Sequence, residues 1–275
     1  LKDVFFHHRN RLLLVVVLSA IVSLTTKSRA EDDAAGSHPL DPALKIARQG
    51  LQVINETVRD YTATIVKRER IGGELSDYNY LFAKIRHRKV AGGRTTVPFS
   101  VYLKYLAPQN LKGREVIWVE GRNNNNLIAH EAGLVGLFPV YLKPDGMLAM
   151  YNNRYPITKI GFKNLIEELI EKAVEDRAKG DCEVHFYDGA KVDGRPCRMI
   201  EVVHPEQEAK FDFYRAQIFI DKELGVPIRY AAWTWPPREG APPVLEEEYT
   251  YRGLKLNVGL TDRDFDPENP EYDFP

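Results

Sequence analysis

The chain has 275 residues, 38 Lys and Arg against 39 Asp and Glu, a formal net charge of −1, and 44% hydrophobic residues. That apolar content is enough for a sizeable core, and about 245 residues beyond the N-terminal segment suffice for one β-rich domain. The charge balance excludes the broad positive field that a nucleic-acid or anionic headgroup partner requires.

Residues 1–30 read as a signal peptide. Lys2, Arg9 and Arg11 precede the apolar run Leu12 to Leu24, and the polar stretch Thr25 to Ala30 puts Ser28 and Ala30 where a signal peptidase reads small residues. The run falls short of the ~20 apolar residues of a membrane-spanning helix. Cleavage near Ala30 and a periplasmic or secreted location are expected. Residues 1–30 hold five basic residues and one Asp, so their removal takes the net charge from −1 to −5.

Residues 31–40 are small and polar and predict a flexible leader. Asp41-Pro42 then signals a helix start, and Leu44, Ala47, Leu51, Ile54 and Val58 recur at helical spacing to about Arg59. From Tyr61 the period becomes two. Strands are expected over 61–70, 78–88, 97–106, 114–120 and 127–131, with Gly72-Gly73 and the asparagine run 123–126 as turns. Phe99, Val101, Leu103 and Tyr105 share one face of the third strand.

Residues 132–160 are apolar without a period. A helix follows from Phe162, with Leu165, Ile166, Leu169, Ile170, Ala173 and Val174 on one face and Gly180 at its end. Five more strands are expected over 182–187, 196–204, 211–221, 226–235 and 244–251. Long antiparallel strands without regular intervening helices predict an α+β fold, and a sheet of about ten strands must curl and have its concave side filled. Two amphipathic helices are the natural filling.

Several strings resemble, in order, the lipoprotein-carrier fold of the LolA, LolB and RseB group: Val192-Asp-Gly-Arg-Pro-Cys197, Ile200-Glu-Val-Val-His-Pro205, Phe211-Asp-Phe-Tyr214, Ile218-Phe-Ile-Asp221 and Gly225-Val-Pro-Ile-Arg-Tyr230. The whole also looks like a secreted bacterial family of unknown function. The resemblance covers most of residues 41–260 and implies a strongly curved antiparallel half-barrel with helices over its mouth, with 261–275 left as an acidic tail.

Within such a half-barrel, Phe99, Val101, Leu103, Trp118, Phe138 and Met147 are the candidates to line an apolar cavity, with residues 132–179 as a mobile cover. The expected function is that of an exported, non-enzymatic binding protein for acyl chains of a lipid or lipoprotein. The alternative is a sensor of the RseB kind holding a membrane-anchored regulator, and a third reading is a hydrolase using His130 and Glu131. No nucleophile elbow, phosphate-binding loop or metal-spaced His pair appears, so no catalytic residue, metal or cofactor is expected. Asp262, Asp264 and Asp266 alternate as in a calcium loop, but Pro267 and Asp273 stand where such a loop needs Gly and Glu. Cys182 and Cys197 would face each other if their strands pair about Asp188-Gly189, closing a disulfide worth about 3 kcal/mol.

Overall fold

The computed structural model describes residues 38–275 apart from 133–137 and 209, so the apolar run 12–24, the cleavage position and most of the leader lie outside the described residues. In chain order the elements are α1 (Asp41–Thr57), β1 (Asp60–Ile71), β2 (Glu74–Leu75), β3 (Asn79–Arg86), β4 (Lys89–Ala91), β5 (Arg94–Val97), β6 (Ser100–Ala107), β7 (Glu115–Val119), β8 (Leu127–His130), β9 (Val140–Leu142), α2 (Met147–Met150), α3 (Phe162–Lys179), β10 (Glu183–Val192), β11 (Arg195–Val203), β12 (Arg215–Asp221), β13 (Pro227–Thr234) and β14 (Val244–Leu256).

Eleven strands form one path in the order β10-β11-β12-β13-β14-β1-β3-β6-β7-β8-β9; β2 beside β1 makes the sheet twelve-stranded, and β4-β5 is a separate hairpin. All pairings are antiparallel, and the curved sheet is not closed. The four strands beyond the expected ten, β2, β4, β5 and β9, have only two to four residues, too few to show a period. The last strand lies beside the first. Lys67 opposes Tyr249 there, and Glu69 opposes Glu247.

Alternation decides which side chains meet. Tyr61, Ala63 and Ile65 of β1, Leu81, Ala83 and Ile85 of β3, and Val101, Leu103 and Tyr105 of β6 join one core with Ile54 of α1 and Phe162 and Ile166 of α3. The helices cover this concave face. The opposite face of β6 and β7 carries Tyr102, Ile117 and Val119, which pack against Phe265 and Tyr272.

Residues 261–275 are thus not a solvated acidic tail. Phe265 is 0% exposed, Tyr272 stacks on Tyr102 at 4.0 Å, and the acids are spent on protein donors. Asp264 pairs with Lys84 at 2.9 Å and Asp262 with Arg86 at 2.7 Å, while Asp264 also caps the turn through Thr261. The aromatic residues between the acids drive this docking, which charge counting alone does not reveal. The leader likewise ends early, since Leu40 is buried with Leu44, Cys182 and Val202, and His38 Nε2 lies 3.1 Å from the carbonyl oxygen of Gly180.

The expected disulfide is absent, and Cys182 and Cys197 are both free and buried. The hairpin turns at Asp193-Gly194, where Val192 pairs with Arg195, whereas Asp188-Gly189 is a bulge inside β10. Cys197 therefore opposes Ala190, and Cys182 packs against Leu40 and Val202 in a different cluster. A turn displaced by five residues separates the two sulfurs. Burial raises the Cys182 thiol to about 11 and also raises that of Cys197. Alkylation in denaturant without reductant should add two labels per chain, and the native protein should label slowly; no labelling before reduction would show a disulfide.

Asp221 closes β12. Burial alone would raise its carboxyl, but Arg195 and the amides of Glu223 and Leu224, each 2.9 Å from Oδ1, hold it below the ordinary 3.8. With the folded pKa below the unfolded one, Asp221 contributes its full stability above about pH 3.8 and loses it as pH falls through the lower folded value. Asp221→Asn should flatten the acid limb of a stability profile measured by urea midpoints between pH 2 and 5; an unchanged limb would show that other carboxylates set it.

Candidate functional site: a cavity on the concave face

α3 packs on the concave side through Ile166 and leaves a gap toward the β9 edge of the sheet. Its floor is Ile65, Leu81, Leu103, Val116, Leu127 and Ala129, and its other wall is the chain from Leu142 to Gly161 with Leu165 and Leu169 of α3. The space measures about 710 Å³. That lies in the range of sites that enclose a drug-sized apolar ligand.

A second cleft of about 560 Å³ opens at the other end of the same strands, lined by Ile85, His87, Arg88, Phe99, Trp118 and Lys163 among others. Burial, with Lys163 nearby, lowers His87 to about 4, so its ring is neutral at neutral pH. Ile160 and Gly161 line both spaces and form the partition between them. Gly161 has φ +106°, and a Cβ there would come 2.8 Å from the Tyr61 hydroxyl, so a side chain is excluded by both backbone and neighbour.

The six residues singled out from sequence scatter over this geometry. Leu103 lines the large cavity. Phe99 and Trp118 meet edge to face at 5.6 Å and line the smaller cleft instead. Val101 is fully buried in the core and lines neither space. Phe138 and Met147 are 81% and 87% exposed and line neither space. Phe99, Val101, Leu103 and Trp118 share the core-facing side of the sheet, because a period of two fixes the side. Phe138 and Met147 come from a stretch without a period, where apolar character does not tell in from out.

The cavity's polar end was not expected. Glu69 and Glu247 are only 3% and 4% exposed. Tyr249 donates its hydroxyl to Glu69 at 2.6 Å, and its oxygen lies 3.2 Å from Glu247 Oε2. Lys67 pairs with Glu69 at 2.8 Å. The covering segment completes the network: Tyr155 donates to Glu247 at 3.1 Å, Arg154 pairs with Glu247 at 3.2 Å and with Glu246 at 3.3 Å, and the Arg154 amide donates to Glu69 at 3.3 Å. Burial raises the Glu247 carboxyl despite Arg154, and raises Tyr249 well above the usual phenol range. The available sequence signal was parity: Glu69 and Glu247 occupy the same strand face as the apolar Ile65 and Tyr251.

His130 and Glu131 do not form a catalytic pair. His130 lies against the Phe274 ring at 5.5 Å on the tail-covered face, while Glu131 lines the cavity and pairs with Arg114 at 2.6 Å. Consecutive extended residues face opposite sides, which removes the geometric basis of the hydrolase reading. Among the described residues there is no cluster of three or more metal-ligating side chains, and no helix long and apolar enough to cross a membrane.

Residues 58–274 match the family described as a protein of unknown function, DUF1571, and the chain belongs to that family. No curated protein matches it. Similar solved structures include the Pseudomonas aeruginosa MucA/MucB complex, at 16% identity over 82% of this chain and 60% of that one, with a TM-score of 0.45. Others are the Mycobacterium tuberculosis lipoprotein LppX, at 11% identity over 80% and 98% with a TM-score of 0.42, and a LolA superfamily protein from Nitrosomonas europaea, at 11% over 80% and 97% with a TM-score of 0.32. The open, curved antiparallel sheet with helices on its concave face is the α+β architecture expected from the sequence. Likeness at these identities concerns the course of the chain and not what is bound.

Proposed function

We propose that this chain is an exported, non-enzymatic binding protein that receives acyl chains of a lipid or lipoprotein in the large cavity, with the segment from Leu142 to Gly161 as its cover. The observation that carries this reading is the 710 Å³ space whose floor is continuous apolar sheet. Each buried CH₂ contributes about 0.8 kcal/mol, so a chain of ten or so carbons supplies useful affinity even after the cost of ordering it. The N-terminal segment, with its basic start and short apolar run, supports export.

Organic extraction of the purified protein followed by mass spectrometry should release acyl lipid. The neutral fluorophore N-phenylnaphthylamine should also brighten on binding. Ala129→Phe, which fills the cavity from β8, should weaken that binding about tenfold or more while leaving the far-ultraviolet circular dichroism unchanged. Neither lipid nor probe binding would end this reading.

One observation favours the second reading, a sensor that holds a membrane-anchored regulator. Phe138, Tyr141, Met147, Leu148 and Tyr151 are all exposed within one stretch of chain, an arrangement associated with contact surfaces. It requires a defined membrane protein to co-purify with the delipidated wild type and to be lost from a Phe138→Ser, Met147→Ser variant. A carrier alone leaves no such stable complex.

A further inference from the structure

The sign of the charge lining the large cavity selects among ligands. Five cations border it, and each is already paired: Lys67 with Glu69 at 2.8 Å, Arg114 with Glu131 at 2.6 Å, Arg154 with Glu246 and Glu247, Lys159 with Glu168, and Lys172 with Asp176 at 3.2 Å and with Asp212. The acids that line it number six, namely Glu69, Glu131, Glu168, Asp212, Glu246 and Glu247. A carboxylate or phosphate headgroup therefore finds no unspent cation among the described residues. It would enter a site whose lining acids outnumber its cations, where like charge disfavours it.

The arrangement around Arg154 gives the complementary half of the argument. Arg154 belongs to the covering segment and not to the sheet, yet its guanidinium sits on the Glu246 and Glu247 carboxylates of β14. Glu69 and Glu247 oppose each other across β1 and β14, a like-charge pairing that costs energy unless a cation or proton intervenes. When the cover lifts to admit a ligand, Arg154 and Tyr155 leave together and Glu247 keeps only the hydroxyls of Tyr249 and Tyr230 on the sheet. The opened end of the cavity is then the uncompensated Glu247 carboxylate, with Glu69 still held by Lys67, beside the rings of Tyr230 and Tyr249, which stack at 6.4 Å. Aromatic faces next to carboxylates are the surroundings in which an organic cation is held.

Building on the acyl-cavity reading above, we propose that the large cavity takes amphiphiles with a cationic headgroup, an ammonium or guanidinium, and that Arg154 is the chain's own stand-in for that headgroup when the cavity is closed. The apolar chain lies over Leu81, Leu103 and Leu127, and the cation replaces the Arg154 guanidinium at Glu246 and Glu247. Uptake is an exchange of one cation for another at the same carboxylates, and no bond is made or broken.

Titration calorimetry of the purified protein with three dodecyl compounds below their micelle concentrations tests this: dodecylammonium, neutral dodecyl maltoside and dodecanoate. The ammonium compound should bind about tenfold or more tighter than dodecanoate. Arg154→Ala should raise its affinity about tenfold further and leave the maltoside within about twofold, because the competing cation is gone and the apolar floor is unchanged. Glu247→Gln, which keeps an acceptor for Tyr155 and Tyr249, should abolish the preference for the cation. Dodecanoate binding as tightly as dodecylammonium, or Arg154→Ala strengthening all three compounds alike, would overturn the headgroup assignment while leaving the acyl cavity standing. If none of the three binds, the acyl-cavity reading falls and this inference with it.

Discussion

Phe265→Ala should lower the unfolding free energy by about 3–5 kcal/mol, the range for removing a fully buried phenylalanine. The ring is 0% exposed among Tyr102, Ile117 and Val119, with the Arg86 guanidinium 4.9 Å from its centre. Its loss opens a cavity and also loosens a docked segment. Glu115, fully buried, accepts from the Asp273 amide and from the Tyr102 hydroxyl, both at 2.9 Å, so those polar groups depend on the tail staying in place. The urea midpoint should fall without loss of the native circular dichroism at low denaturant. A change under about 0.5 kcal/mol, as at an ordinary surface position, would mean that residues 261–275 are solvated after all.

Phe162→Ala should cost a similar ~3–5 kcal/mol, for a different reason. Phe162 begins α3, is 0% exposed, and stacks on Tyr61 at 4.3 Å with Tyr251 and His87 at its edges. It is the pin that holds the start of the helix against the first and last strands, next to the partition at Gly161. The substitution should therefore reduce ligand binding as well as stability, since the partition and the cavity wall share that anchor. Phe138→Ala supplies the contrast. With its ring exposed, its effect on stability should stay within about ±0.5 kcal/mol. If the two substitutions destabilised equally, burial would not be what distinguishes these rings.

Much of the architecture is legible in the sequence. The helix at 41–57 announced itself through Asp41-Pro42 and its apolar stripe, and the helix at 162–179 through its stripe and Gly180. The ten longer strands showed their alternation, and with it the face on which Phe99, Val101 and Leu103 lie. Failures occurred where a residue's environment comes from a distant part of the chain. The disulfide failed because a plausible Asp-Gly turn was a bulge and the turn lay at Asp193-Gly194. The cavity list failed at Phe138 and Met147 because an aperiodic stretch gives no facing. Glu69 and Glu247 were missed because each is an unremarked acid in its own strand.

Sequence by itself determined the export signal as an expectation, the class of fold, and which strand positions share a face, since periodicity and turn chemistry are local properties. It also determined that no recognisable catalytic motif is present. Only the tertiary structure decided the rest. Pairing β14 with β1 places Glu69 opposite Glu247 across 178 positions of sequence, and the crossing of the cover brings Arg154 to both. The net sign of the cavity, the burial of the tail and the separation of the cysteines all depend on register and long-range packing, which a linear pattern does not encode.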